Sequence, residues 1–162
     1  MSADRRLQDQ AQLLAFPLAE PIRIGGNYTA ALLDGDLVHV SGQIPRVGDK
    51  IAVVGAAGAD ATFEQACRAA QISTLRALVL VKHACGTLEA VQCIPRMTVF
   101  IRSAPTFTQH SEVADAASNL LQSVLGPCAA HSRTSVGVLQ LPKGATVEID
   151  FTFRVRQAAH GA

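Results

Sequence analysis

A single α+β domain, with a mixed β-sheet carrying two helices on one face, follows from three features of this 162-residue chain. Two long amphipathic stretches are separated by one extended apolar segment. Short alternating segments precede the first stretch and follow the second. The length suffices for one substantial core and not for two. Two such helices cover one face of a sheet, which leaves the other face to solvent or to burial between subunits.

Residues 1–20 read as an N-terminal helical extension. Arg5-Arg6 ahead of Leu13-Leu14-Ala15-Phe16 has the outline of a signal peptide, but Gln8, Asp9, Gln10 and Gln12 interrupt the apolar run. Asp4 to Ala15 is instead expected as a short amphipathic helix packed on the domain or on a partner subunit. No stretch approaches the roughly eighteen apolar residues of a transmembrane helix, so an unanchored, cytoplasmic protein is expected. The domain proper spans residues 21–157, with a tail at 158–162.

Thr29 to Leu33 and Leu37 to Ser41 flank Asp34-Gly35, a two-residue hairpin signal that calls for positive φ at both positions. Pro45 ends the second strand, and Ile51 to Val54 adds a short edge strand. Thr62 with Gln65 three positions on is a capping box. It opens a helix with Phe63, Ala66, Ala70, Ala77 and Val81 on one face, running to Cys85 and stopped by Gly86. Val91 to Arg102 reads as a strand, with Pro95 near its start where a missing donor is tolerable. The second helix runs from near Phe107 to Leu125, with Val113, Ala117, Leu120, Leu121 and Val124 as its apolar stripe. Gly126-Pro127 punctuates its end.

The run from Arg133 to Asp150 concentrates the chemistry. Val147, Ile149, Phe151 and Phe153 alternate with Thr146, Glu148, Asp150, Thr152 and Arg154, the pattern of a half-buried strand. Leu141-Pro142-Lys143-Gly144 has turn composition, which predicts an antiparallel hairpin. In that hairpin Val136 and Val138 share the buried face, and Arg133, Ser135 and Gly137 stand on the face of Glu148. Gly137 would let a ligand approach the backbone. With Val136 opposite Ile149, Arg133 lies four residues from the Gly137–Glu148 pair, roughly 13 Å at strand rise. One small substrate cannot touch both, so the expected site pairs Arg133 of one subunit with Glu148 of a neighbour in a symmetric oligomer.

Composition narrows the function classes. A net charge of +1, no basic cluster beyond Arg5-Arg6, no Trp and a single Tyr give no electrostatic footprint or stacking platform for nucleic acid. Cys67, Cys85, Cys93 and Cys128 lack any Cys-x-x-Cys spacing and read as buried free thiols, with no metal implied. Among the histidines, His39 is expected as a hydrogen-bonded sheet residue. His131 shares a face with Arg133, or else sits in a solvated loop.

Five segments carry a resemblance: Gly26 to Ala31, Val40 to Pro45, Met97 to Ile101, the intervening order of helices, and Arg133-x-x-Val136-x-Val138-x-x-Leu141-Pro142. Over about residues 22–156 the chain resembles the reactive-intermediate deaminase family, also called YjgF or L-PSP endoribonuclease-like. Its first twenty residues and Ser103 to Phe107 are similar to a longer, less characterised branch. The resemblance implies a chorismate-mutase-like fold and a homotrimer with sites in the clefts between subunits. It implies hydrolysis of 2-imino or enamine acids, such as 2-aminoacrylate, to 2-keto acids and ammonia without a cofactor. By the same resemblance Arg133 grips the substrate carboxylate bidentately and Glu148 moves protons with a raised pKa. Ser135, Tyr28, Ser41, Gly42 and Asp115 complete the substrate-binding set. Ser135 stands where many relatives carry cysteine, which excludes thiol chemistry there. Asp115 stands where asparagine is common, so it is turned away from an anionic substrate or the preferred ligand differs. Two other readings stay open: a non-catalytic trimer that binds small carboxylate metabolites, and an endoribonuclease, for which the chain offers no phosphate clamp beyond Arg133.

Overall fold

The computed structural model describes residues 1–156, so the expected tail lies outside the described residues. Helix α1 (Ala3–Leu13) is followed by strands β1 (Ala31–Asp34) and β2 (Leu37–Gln43) and by the minimal ribbon β3 (Arg46–Val47) and β4 (Lys50–Ile51). Then come α2 (Phe63–Cys85), β5 (Val91–Arg102), α3 (His110–Leu125), β6 (His131–Val138) and β7 (Val147–Val155). The five-stranded sheet has the order β1-β2-β7-β5-β6. Only β5 and β6 run parallel, so the sheet is mixed as expected.

That order overturns the expected hairpin. β6 and β7 are not neighbours, because β5 lies between them and pairs with both: Phe100 is partnered by Val136 on one side and by Glu148 on the other. A parallel pair needs a crossover of a dozen or more residues, and α3 supplies it between β5 and β6. The chain then passes over the end of β5 to reach β7. This passage is pinned by a bond from Gly55 N to Gly144 O (2.9 Å) and one from Thr146 Oγ1 to Gly55 O (2.8 Å). The faces of β6 are inverted too. Val136, 39 % exposed, shares the open face with Glu148, while Arg133, Ser135 and Gly137 share the helix face with Met97, Val99 and Ile101.

Smaller expectations shift as well. Asp34 pairs with Leu37, so the hairpin loop is Gly35-Asp36, and of its two residues only Gly35 has positive φ. The expected edge strand at Ile51 to Val54 is reduced to the ribbon ending at Ile51 plus a bridge from Val54 to Ala145. Helix α3 begins at His110, with no side-chain cap.

The core lies between the sheet and the helices. Val147, Ile149, Phe151 and Phe153 of β7 and Met97, Val99 and Ile101 of β5 are all buried on the helix face. α2 packs against β2 and β7, α3 packs against α2, and α1 packs against α3. Every residue from Ile72 to Val81 is buried, so α2 is enclosed on all sides and not just along one stripe. The capping box at Thr62 forms, with Gln65 N donating to Thr62 Oγ1 and Thr62 N to Gln65 Oε1, and Gly86 ends the helix at a φ of 81°. α1 is tied to the body of the domain. Asp4 accepts from Thr87 Oγ1 and Leu88 N, each at 3.0 Å, and Arg6 Nε donates to Val124 O at 2.6 Å.

Since the Thr62 cap satisfies a helix N–H that has no intrahelical partner, Thr62→Ala should lower stability by about 1 kcal/mol without altering the fold. Urea denaturation of the two proteins measures this, and an unchanged midpoint would show the box to be dispensable.

Candidate functional site

Glu148 owes its surroundings to a bulge in β2. Val40 pairs with Phe151 and Gln43 with Ile149, so Ser41 and Gly42 together oppose Asp150. The extra residue brings Gly42 against the Glu148 side chain. A Cβ built there would lie 2.1 Å from Oε1, so a glycine is required for close approach, not for its φ. Ser41 Oγ donates to Thr29 O (2.8 Å) and Ser41 N to Ala30 O (2.9 Å), which holds the segment carrying Tyr28 beside the bulge. The resulting cleft, about 420 Å³, is lined by Tyr28, Ser41, Gly42 and Glu148. Four of the residues expected at a site therefore meet in one chain.

The same cleft is lined by Arg23, Arg46, Arg76, Lys143 and Gln43, none of which the sequence reading singled out. Arg76 enters from α2 and is 5 % exposed. Its Nε donates to Gln43 Oε1 (3.1 Å), Nη1 to Arg46 O (3.1 Å) and Nη2 to Arg23 O (3.0 Å). Burial first, and the Arg46 charge second, lower its pKa to about 10, with the Tyr28 phenol acting in the opposite direction. A signal was available: Arg76 is the one charged residue in the apolar run from Ile72 to Val81, and an isolated charge in a buried helix asks for a purpose.

Glu148 is half-buried, and loss of solvent raises its pKa above the ordinary carboxylate range, with the Asp150 charge pushing the same way. Such a carboxyl holds its proton at higher pH than a surface glutamate, as a general acid must.

Arg133, Ser135 and Asp115 lie elsewhere. On the helix face of the edge strand β6, Arg133 Nη2 meets Asp115 Oδ1 of α3 at 2.6 Å and also donates to Ser111 O (3.2 Å), while Nη1 donates to Ser118 Oγ (2.8 Å). Asp115 is thus turned toward Arg133 and neutralises it. His131 is no solvated loop residue. The Ala129 carbonyl can only accept, so His131 Nδ1 (2.7 Å) carries the proton and Nε2 accepts from Ser118 Oγ (2.9 Å), leaving that oxygen to accept from Arg133. Ser135 sits beside Val99 in the parallel ladder. Gly137, expected to offer open backbone, is instead covered: a Cβ there would lie 2.7 Å from His110 Nε2 and 2.8 Å from Ser103 Oγ, two atoms 3.0 Å from each other.

Arg133 and Glu148 are consequently two strands and three rows apart, roughly 14 Å by strand spacing and rise, and on opposite faces. The earlier conclusion that one chain cannot bring both to a small ligand stands, for a different reason. Among the described residues no group of three or more His, Cys, Asp or Glu is placed to hold a metal ion, and the four cysteines are free and partly buried.

Two measurements follow. Because the folded state binds the Glu148 proton more tightly than the unfolded chain, stability is lost as pH rises from the ordinary glutamate value of about 4.3 through the raised folded value. Glu148→Gln should therefore raise the thermal midpoint at pH 8 and match the wild type at pH 4; a difference confined to pH 4 would reverse the assignment. Gly42→Ala should displace the Glu148 carboxyl while sparing the core, seen as an altered Glu148 titration by NMR with a stability change below about 2 kcal/mol.

The family described as YjgF/chorismate mutase-like, putative endoribonuclease, matches residues 11–147. Protein TCP17 of Trypanosoma cruzi is 36 % identical over 149 residues, covering 91 % of this chain and 93 % of its own. The crystal structure of Atu1372 from Agrobacterium tumefaciens, a protein of unknown function, superposes with a TM-score of 0.84 at 32 % identity, covering 95 % of each chain. More remotely, E. coli TdcF with bound serine shares the fold, with a TM-score of 0.60 at 22 % identity over 87 % of this chain and 96 % of that one. With its mixed sheet backed by helices and its match over most of the sequence, the chain belongs to the YjgF/chorismate-mutase-like family.

Proposed function

We propose that the chain is a hydrolytic deaminase of reactive 2-imino and enamine acids, releasing 2-keto acids and ammonia. Its working site is the Glu148 cleft, completed by Arg133 of a neighbouring copy in a trimer. The observation that carries this reading is a half-buried carboxyl with a raised pKa in a cleft whose other charged lining groups are all cationic. The serine held by TdcF supports a small, amino-acid-like ligand. The sheet face opposite the helices, which carries Glu148, also exposes Leu32 and Val136, which supports burial of that face by another copy.

In this scheme protonated Glu148 gives its proton to the β-carbon of the enamine, generating the iminium ion, the protonated imine with its C=N bond. The carboxylate so formed takes a proton from water as the oxygen adds to the imine carbon. The carbinolamine then collapses: Glu148 passes that proton to nitrogen, the C–N bond breaks and ammonia leaves, and the hydroxyl proton returns to the Glu148 carboxylate as the carbonyl forms. Only water is consumed. Gly42 contributes by admitting the Glu148 side chain to the cleft, and Arg133 of the neighbour would orient the carboxylate once its pair with Asp115 is shared or opened.

The cations Arg46, Arg76 and Lys143 in the same cleft favour a second reading, a non-catalytic carboxylate binder, since they offer a grip that does not depend on the Asp115-paired Arg133. One assay separates the two. With imines generated in situ from amino acids, wild type should accelerate keto-acid release over buffer, Glu148→Gln should lose at least about a hundredfold, and Arg133→Ala should lose activity. A wild type no faster than buffer that still binds keto acids would leave the binder.

A further inference from the structure

Three cations of the Glu148 cleft, Arg46, Arg76 and Lys143, form no ion pair among the described residues, whereas Arg23 on the same rim is paired to Asp49 at 2.6 Å. Arg76 is the costly one. It is 5 % exposed, and each of its three hydrogen bonds goes to a neutral oxygen. A charge withdrawn from water without a counter-charge is strongly disfavoured, and buried charges are ordinarily paired. Its Nη1 bond to the Arg46 carbonyl sets it against the residue whose own guanidinium lines the cleft. Gln43 contributes its side-chain oxygen to the same guanidinium, and its NH₂ group is held in turn by Ser41 O at 2.8 Å. The arrangement is built, not adventitious.

The cleft's carboxyl, Glu148, forms no ion pair with any of these cations among the described residues, and burial works against its charged form. A ligand with one carboxylate, held by Arg133 of a neighbour, would leave Arg76 as uncompensated as before. A ligand with a second acidic group would supply the missing anion. We infer that Arg46, backed by Arg76 and flanked by Lys143, forms an anion subsite in each chain's own cleft, and that the imino acids handled there are dicarboxylic. The second carboxylate sits on Arg46 and the reacting carbon beside Glu148. The reacting carbon rests on the deaminase reading; the subsite does not.

Calorimetric titration with 2-ketobutyrate and 2-ketoglutarate, stable keto acids with one and two carboxylates, tests this on the full chain. Wild type should bind the dicarboxylate at least about tenfold more tightly. Arg46→Met should bring that ratio within about threefold of unity, while Lys50→Met, outside the cleft, leaves it in place. Lys143→Met provides the same readout should Arg46→Met not fold. Equal wild-type affinities, a ratio unmoved by both cleft variants, or no binding of either acid overturns the inference. A preserved dicarboxylate preference without imine turnover would sink the deaminase reading and leave the subsite standing. Turnover without that preference would do the reverse.

Discussion

The pairing of β5 with both β6 and β7 is the constraint on which the site depends. By sending α3 across the sheet as a crossover, the chain lays β6 parallel to β5 at the outer edge and must return over the end of β5 to form β7. Glu148 thereby falls near the middle of the sheet, beside the bulge of β2, and Arg133 falls on the rim against α3. A simple hairpin would have put the two on adjacent strands. The crossover also fixes the faces, so that the acid points away from the helices and the arginine toward them.

Charge is distributed accordingly. At the rim, Arg133 is neutralised by Asp115 and braced by Ser118, which His131 holds in turn; this is a closed set of donors and acceptors. In the cleft the balance is open. Arg76, projecting from α2, is bound only to neutral oxygens, and Arg46 and Lys143 line the same cleft. An acid that holds its proton more tightly than a surface glutamate and a set of cations lacking anions are complementary to an anionic, proton-accepting ligand.

Periodicity carried much of the fold. The capping box at Thr62, the stop at Gly86, the span of β5 and the alternation of β7 are local patterns, dictated by helix-end hydrogen bonding and by the period of the pleat. The family pattern grouped Tyr28, Ser41-Gly42 and Glu148 as candidate site residues, and the fold brings them to one cleft. What misled was the turn composition of Leu141 to Gly144. It signals a change of direction but not which strand the chain returns to, and the strand–helix–strand order before it already called for a parallel neighbour. Arg46 and Arg76 went unread because a count of charge along the chain finds clusters in sequence only.

The sequence by itself determined most of the elements, the ends of α2, the span of β5, the buried face of β7 and the kinship of the chain, because these rest on short-range periodicity and on motifs a few residues long. Tertiary structure alone decided the partner of β6, the face that Arg133 occupies, its capture by Asp115, and the gathering of Arg23, Arg46, Arg76 and Lys143 around Glu148. Strand order is settled by crossover geometry and burial over long sequence separations. No local pattern encodes which distant charges will share a cleft once that order is set.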